Sequence, residues 1–503
     1  MISSIATDYG NAAALRRGVP GTEPVSNPWP FLPLQSDQPQ LGLLSLTAGS
    51  TIGIRTTHYD GDGEEQPFAT QGIPVIVFEG KEEERGFMRF CAMAVVLMLA
   101  SVASAQSDGY DILLKGGHVF DPKNDVDAVR DIAVRKGRIA AIGENLSGAD
   151  AKITLDVSGL YVTPGLIDLH FHAFAGTENS SITAGLSSIF PDHVTFGSCV
   201  TTVVDVGSSG WRRFEDFRRT VIDRAGTRVL AMINIAGTGM IDYDLEQHPL
   251  DLDPRKTGEM AKKHGDVVVG IKSAHWRAPT FLSVERAIEA AEIAGVPVMV
   301  DFGYFLPERP YERLLIEVLR PGDISTHFYR WPAPLLDENE KVRPYLHQAR
   351  ERGVKFDVGH GSGSFHFRNA DPAVRQGFWP DSISTDWHRG SNNGAMIDMV
   401  SVMSKFLALG VPLDEVIRRS TTNPALLVNR PELGQIAVGA EADLAVLRLD
   451  RGRFGFVDVR RGRVEGGERL GCEVTLRAGR VVFDYNGRAG GPWRTAKIDY
   501  PTR

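Results

Sequence analysis

The sequence predicts an α/β protein, an eight-fold strand–helix repeat closed into a (β/α)8 barrel, with a small β-sandwich built from both flanks of that barrel. Three observations predict it. Short Val/Ile-rich runs recur along the chain, most of them ending in a polar residue or Gly. Helix-period segments such as SVERAIEAAEIAG separate most of these runs, and Gly-punctuated strand-like text occupies both flanks.

Residues 1–87 are rich in Pro, Gly, Ser and Thr, carry a charge run from Lys81 to Arg85, and show no sustained period. Residues 88–105 then have the form of a secretory signal peptide: Met88, the positive Arg89, an apolar run from Phe90, and Ala103-Ser104-Ala105 before Gln106. The plainest expectation is that Met88 is the start and residues 1–87 are a non-native upstream extension. The alternative is a disordered extension followed by a buried apolar helix. Export makes the mature protein periplasmic or secreted, with no membrane contact after cleavage.

Residues 106–160 (YDILLKGGHVFDP, DIAVRKGRIAAIG, KITLDVSGLYVTPG) supply the first part of the expected sandwich, and residues 433–490 the second. Chain ends of a domain usually lie close together, so the two flanks are expected to pair. The barrel spans 161–432, and 491–503 is a C-terminal tail. Its strands read as 162–172, 197–207, 228–237, 266–274, 297–303, 323–329, 355–361 and 382–387.

In the first of these, Asp168, His170 and His172 share one face, because strand side chains alternate. Imidazoles at i and i+2 on a strand can converge on one ion; the alternative is two partly buried histidines bonding their neighbours. Further polar residues follow at strand ends: Lys272, Asp301, His327 and Asp386. The steps from His172 are 100, 29, 26 and 59 residues. These equal three, one, one and two repeats of roughly 25 to 35 residues, which assigns the set to strands 1, 4, 5, 6 and 8. In such a barrel the active site lies at the C-terminal face.

With 503 residues the chain can hold more than one core, and its formal charge of −8 argues against nucleic acid or anionic membrane as a partner. Cys91, Cys199 and Cys472 offer no disulfide framework or cysteine zinc site, and Cys199 reads as a small buried strand residue.

VTPGLIDLHFH, together with the flanks, resembles the amidohydrolase superfamily. GSCVTTVVDVGSSG, VVGIKSAHWR, VPVMVDFG, GDISTHFY, FDVGHGSGSF, PDSISTDWH, MSKFLALGVPLDEVI and TTNPA resemble its dihydroorotase-like amidohydrolase/deacetylase branch. The resemblance implies a distorted TIM barrel that hydrolyses amides, cyclic amides or esters with a metal-activated hydroxide. It also implies that His170, His172 and Asp386 hold one divalent ion, with Asp386 as general base. Lys272, as a carbamate, would bridge to a second ion held by His327 and Asp301; a lysine paired with a carboxylate is the plainer alternative.

Asp301 departs from the branch, which has histidine at that place. One or two ions are expected, zinc, with manganese or magnesium as alternatives because of this carboxylate. His275, Arg277, Tyr329, His360, His388, Ser391 and Asn392 lie on or near the expected mouth as substrate-binding candidates, where Arg or His could hold a substrate carboxylate; loop or ligand-orienting roles are open for them. The expected activity is hydrolysis of an amide or related ester of a small carboxylate-bearing molecule, deacetylase-like. A cyclic-amide hydrolase of the dihydroorotase type and a metal-bound silent scaffold are the alternatives. A small molecule is the expected partner, and a homo-oligomer is left open.

Overall fold

The computed structural model describes residues 109–174, 188–240 and 244–494. The expected extension, the signal peptide and residues 495–503 of the tail lie outside them. All described residues belong to one compact unit, Gln106–Arg503.

Both flanks contribute to a single eight-stranded sheet. Its first strands are β1 (Tyr110–Asp121), β2 (Val126–Arg135), β3 (Arg138–Gly143), β4 (Ala151–Asp156) and β5 (Tyr161–Pro164). The central sheet follows: β6 (Leu166–Phe171), β7 (Val200–Gly210), β8 (Arg228–Asn234), β9 (Val268–Ala274), β10 (Val298–Asp301), β11 (Ile324–Ser325) and β12 (Lys355–Phe356). The chain then returns to the flank with β13 (Leu444–Val457), β14 (Arg463–Arg477) and β15 (Arg480–Asp484). The flanking order is β15-β14-β13-β5-β1-β2-β3, with β4 and β5 pairing successively along β1. The two flanks meet where β5 runs antiparallel to β13, from Leu444 opposite Pro164 to Leu447 opposite Tyr161. They form one hydrogen-bonded sheet of eight strands.

β6 to β12 are parallel neighbours in chain order. Every residue of β6, β7 and β9 is buried, as expected of parallel strands covered on both faces. Segment 382–387 lies between β12 and β6, joined by parallel bridges Asp357 to Ser382 and Phe171 to Trp387. The last expected strands are shorter than the sequence suggests. His327, Gly359, Gly361 and Asp386 have φ of 57°, 46°, 52° and 50°, and a left-handed residue ends a strand ladder.

Cys199 and Cys472 are paired in a disulfide, with Cα atoms 5.4 Å apart. This corrects two expectations. Cys199 sits just before β7 in a left-handed turn, and its bond to β14 fastens the central sheet to the flanking one. A separation of 273 residues hides such a pairing from local sequence patterns.

Candidate active site

Four strand ends, those of β6, β9, β10 and β11, and segment 382–387 bring His170, His172, Lys272, Asp301, His327 and Asp386 together. The local backbone is unusual there: His275, His327 and Asp386 all adopt positive φ, a conformation that costs free energy and persists where its surroundings enforce it. Ligand atoms of His170, His327 and Asp386 lie within 4.8 Å of one another. Asp386 Oδ1 is 3.2 Å from His172 Nε2 and 3.6 Å from His170 Nε2. Lys272 Nζ stands 3.5 Å from His170 Nε2, and His327 Nε2 is 3.4 Å from Asp301 Oδ2.

The other imidazole nitrogens are all engaged. His327 Nδ1 donates to the Gly359 carbonyl at 2.7 Å, and His172 Nδ1 is 3.1 Å from Ser208 Oγ. His170 Nδ1 donates to Thr326 Oγ1 at 2.9 Å, whose hydroxyl donates to Asp357 at 2.7 Å. Asp357 is fully buried and also accepts from Ser382 and Ser384. These bonds orient the rings and leave each Nε2 facing the common centre, the arrangement that metal-binding histidines need.

Electrostatics point the same way. Burial would push the Asp386 carboxyl up, but the imidazoles of His170 and His388 hold it below the usual carboxylate range. Burial likewise opposes His327 and His275 at Asp301, and the imidazoles win. Burial lowers Lys272 against the pull of Asp301 and Asp386, favouring the neutral amine. Asp301 Oδ1 is buried without a hydrogen-bond partner, an orphan acceptor that suits a cation. The donor set of imidazoles and carboxylates therefore fits divalent metal, with the glycine backbone pressed closely behind it. A Cβ on Gly361 would lie 2.2 Å from Asp386 Oδ2.

The substrate-binding candidates divide. His388 stays beside the centre, its Nε2 3.9 Å from Asp386 Oδ2. His275 is also there, between Glu246 and Asp301. Ser391 is buried and donates to the Asp386 carbonyl at 2.8 Å, so it supports the backbone of that residue. Asn392 accepts from the Trp387 indole at 3.1 Å. Arg277 is spent on Asp244 and Tyr304.

Two expectations need correction. Tyr329 is fully buried, its hydroxyl donating to the Phe378 carbonyl at 3.2 Å. His360 is fully buried too, with Nδ1 donating to Gly361 and Nε2 accepting from Lys405 at 2.6 Å. Neither faces the mouth: each is fully buried with its polar atoms bonded inside the protein. Missed from sequence were Glu246 and Arg330. The Arg330 guanidinium is about a third exposed, with NH1 3.6 Å from Asp301 Oδ1. Its position three residues beyond His327 was the one available signal.

Residues 349–468 match the Amidohydrolase family. A protein named Deacetylase from Brucella anthropi is 32% identical over 332 residues, covering 64% of this chain and 80% of its own. Among solved structures, an adenine deaminase superposes with a TM-score of 0.67 at 28% identity, covering 75% of this chain and 100% of that one. A dihydroorotase does so with a TM-score of 0.64 at 28% identity, covering 74% and 99%. With that likeness and this cluster of imidazoles and carboxylates, the chain belongs to the amidohydrolase superfamily and is a hydrolase of carbon–nitrogen bonds.

Proposed function

We propose that the protein is a metal-dependent deacetylase-like hydrolase that cleaves an amide or related ester of a small carboxylate-bearing molecule. The observation that carries this reading is the convergence of His170, His327 and Asp386 with their outward ring nitrogens spent. His170, His172 and Asp386 would hold one ion, and Lys272, Asp301 and His327 a second; zinc, manganese and magnesium are the candidates. A divalent ion held there supplies Lewis acidity, polarising the scissile carbonyl and acidifying water. Asp386 takes the proton from the attacking water and returns it to the leaving nitrogen or oxygen as the C–N or C–O bond breaks. His388 lies close enough to Asp386 to take part in orienting the substrate.

The Lys272 amine, buried and low in pKa, is suited to add carbon dioxide, releasing one proton to give a carbamate. Arg330 is the cation best suited to a substrate carboxylate, since its guanidinium makes no hydrogen bond among the described residues. The ring from β6 to β12, closed by segment 382–387, is read as the eight-stranded barrel over 161–432. The flanking sheet from 106–160 and 433–490 is read as its small sandwich. The Cys199–Cys472 bond supports an oxidising, exported setting, in keeping with a signal peptide at 88–105.

The test is hydrolysis of N-acetyl amino acids, acetylated hydroxy acids and hydantoins, with and without chelator. Chelator-sensitive release of acetate supports the deacetylase. Ring opening of hydantoins alone supports the cyclic-amide reading, which the likeness to a dihydroorotase favours. Silence across the panel with full metal content would point to the scaffold.

A further inference from the structure

Glu246 has no part in the chemistry above, yet it is 2% exposed and aimed at the centre. Its Oε1 accepts from Asn234 Nδ2 at 2.9 Å, and its Oε2 lies 2.7 Å from His275 Nδ1. The other nitrogen of that ring, Nε2, is 3.1 Å from Asp301 Oδ2. One imidazole thus bridges two buried carboxylates.

The backbone is built to keep it there. Gln247 Nε2 donates to the His275 carbonyl at 2.9 Å, and His275 itself has a φ of 53°. Arg309, 1% exposed, donates to the carbonyls of Trp276 and Tyr304 at 2.8 Å, tying together the loops that follow β9 and β10. These loops carry His275 and flank Asp301. A short carboxylate at position 301 could rotate or chelate through both oxygens. Here Oδ2 lies 3.1 Å from His275 Nε2 and 3.4 Å from His327 Nε2, while Oδ1 is buried without a hydrogen-bond partner, 3.6 Å from the Arg330 guanidinium.

We infer that Glu246 and His275 are positioning residues for Asp301: they fix the orientation of its carboxylate as a ligand of the second cation site. The relay compensates for aspartate standing where relatives of this branch are expected to carry histidine. Outer partners of this kind typically set metal affinity by about 10- to 100-fold. The inference rests on the metal-dependent reading above.

The test uses the full chain loaded with manganese chloride, with Glu246→Gln and His275→Gln as variants. Metal content and affinity are read by elemental analysis and chelator competition, and the manganese pair by its exchange-coupled paramagnetic resonance signal. The parent should hold two ions. Both variants should keep the first and bind the second about 10- to 100-fold more weakly, the coupled signal giving way to that of an isolated ion. Glu246→Gln preserves volume and carries the test if His275→Gln does not fold. Two ions at the parent's affinity in the folded variants would overturn the inference, as would a single ion in the parent. A parent that binds no ion at all would overturn the metal-dependent reading itself.

Discussion

Asp168 on the first strand of the central sheet ties down Thr385 on the closing segment, 217 residues away. The Thr385 hydroxyl donates to Asp168 Oδ2 at 2.5 Å and its backbone N–H to Oδ1 at 3.0 Å. Both residues are fully buried, and burial pushes the Asp168 carboxyl up to about 7. Thr385 is the neighbour of Asp386, so this contact sets where the Asp386 carboxylate stands. Thr385→Val keeps the shape but leaves a buried carboxylate oxygen short of a donor, at about 1–3 kcal/mol. Urea denaturation should show that loss, with a fall in kcat larger than any change in KM.

The convergence of these side chains was legible in the sequence because most of them close a Val/Ile-rich run, and parallel strands deliver their C-terminal ends to one rim. His170, His172 and Lys272 needed only that regularity. Glu246 and Arg330 were not legible, because one stands on the single 3-10 turn Leu245–Gln247 and the other on a loop, and no local period encodes the path of either. Tyr329 and His360 were misread for a related reason. Nearness to a strand end in sequence does not fix a side chain's direction once the backbone leaves the extended region, as it does at His327 and Gly359.

Gly361 is pressed against Asp386, the general base in the proposed mechanism. Its φ is 52°, and a Cβ there would meet Asp386 Oδ2 at 2.2 Å, too close for any side chain. Gly361→Ala must therefore displace Asp386 or the loop. The expected outcome is a fall in kcat of at least about 100-fold, the scale of losing a positioned base. Assay at saturating substrate and metal checks it.

Lys405 lies on the helix Met399–Ala408, 1% exposed, and donates to His360 Nε2 and the Ala395 carbonyl, each at 2.6 Å. Burial brings its pKa from 10.5 to about 7, against the pull of Asp458 and Asp398. Between those values the unfolded chain binds one proton more than the folded one, so raising the pH favours folding. The contribution is complete above the unfolded value and is lost as the pH falls towards 7. Its slope is at most about 1.4 kcal/mol per pH unit. Lys405→Met should remove that slope, seen by comparing denaturation of parent and variant at pH 7.5 and 9.5.

The disulfide closes a loop of 273 residues, which limits the unfolded chain. Cys199→Ser with Cys472→Ser should cost about 2–4 kcal/mol, measured by denaturant melts without reductant. If the proposed signal segment at 88–105 is cleaved on export, the third cysteine, Cys91, leaves with it, and the exported protein should titrate no free thiol until it is denatured and reduced. Two free thiols in the exported protein before reduction would rule out the bond.

Arg330 makes the sharpest test of substrate class. Its guanidinium lies 3.6 Å from Asp301 Oδ1, too far for a hydrogen bond, and its side chain is 31% exposed at the mouth. A substrate carboxylate reaching it would gain a charge-assisted bidentate contact, worth about 1.5–3 kcal/mol, or roughly 10- to 100-fold in binding. Arg330→Gln should raise KM by that factor for N-acetyl amino acids and leave kcat nearly unchanged, because the contact is made equally in ground and transition states. The methyl esters of the same compounds lack the carboxylate, so the variant and the parent should turn them over alike. An equal KM rise for acid and ester would assign Arg330 to the shape of the mouth and remove the carboxylate from the substrate's description.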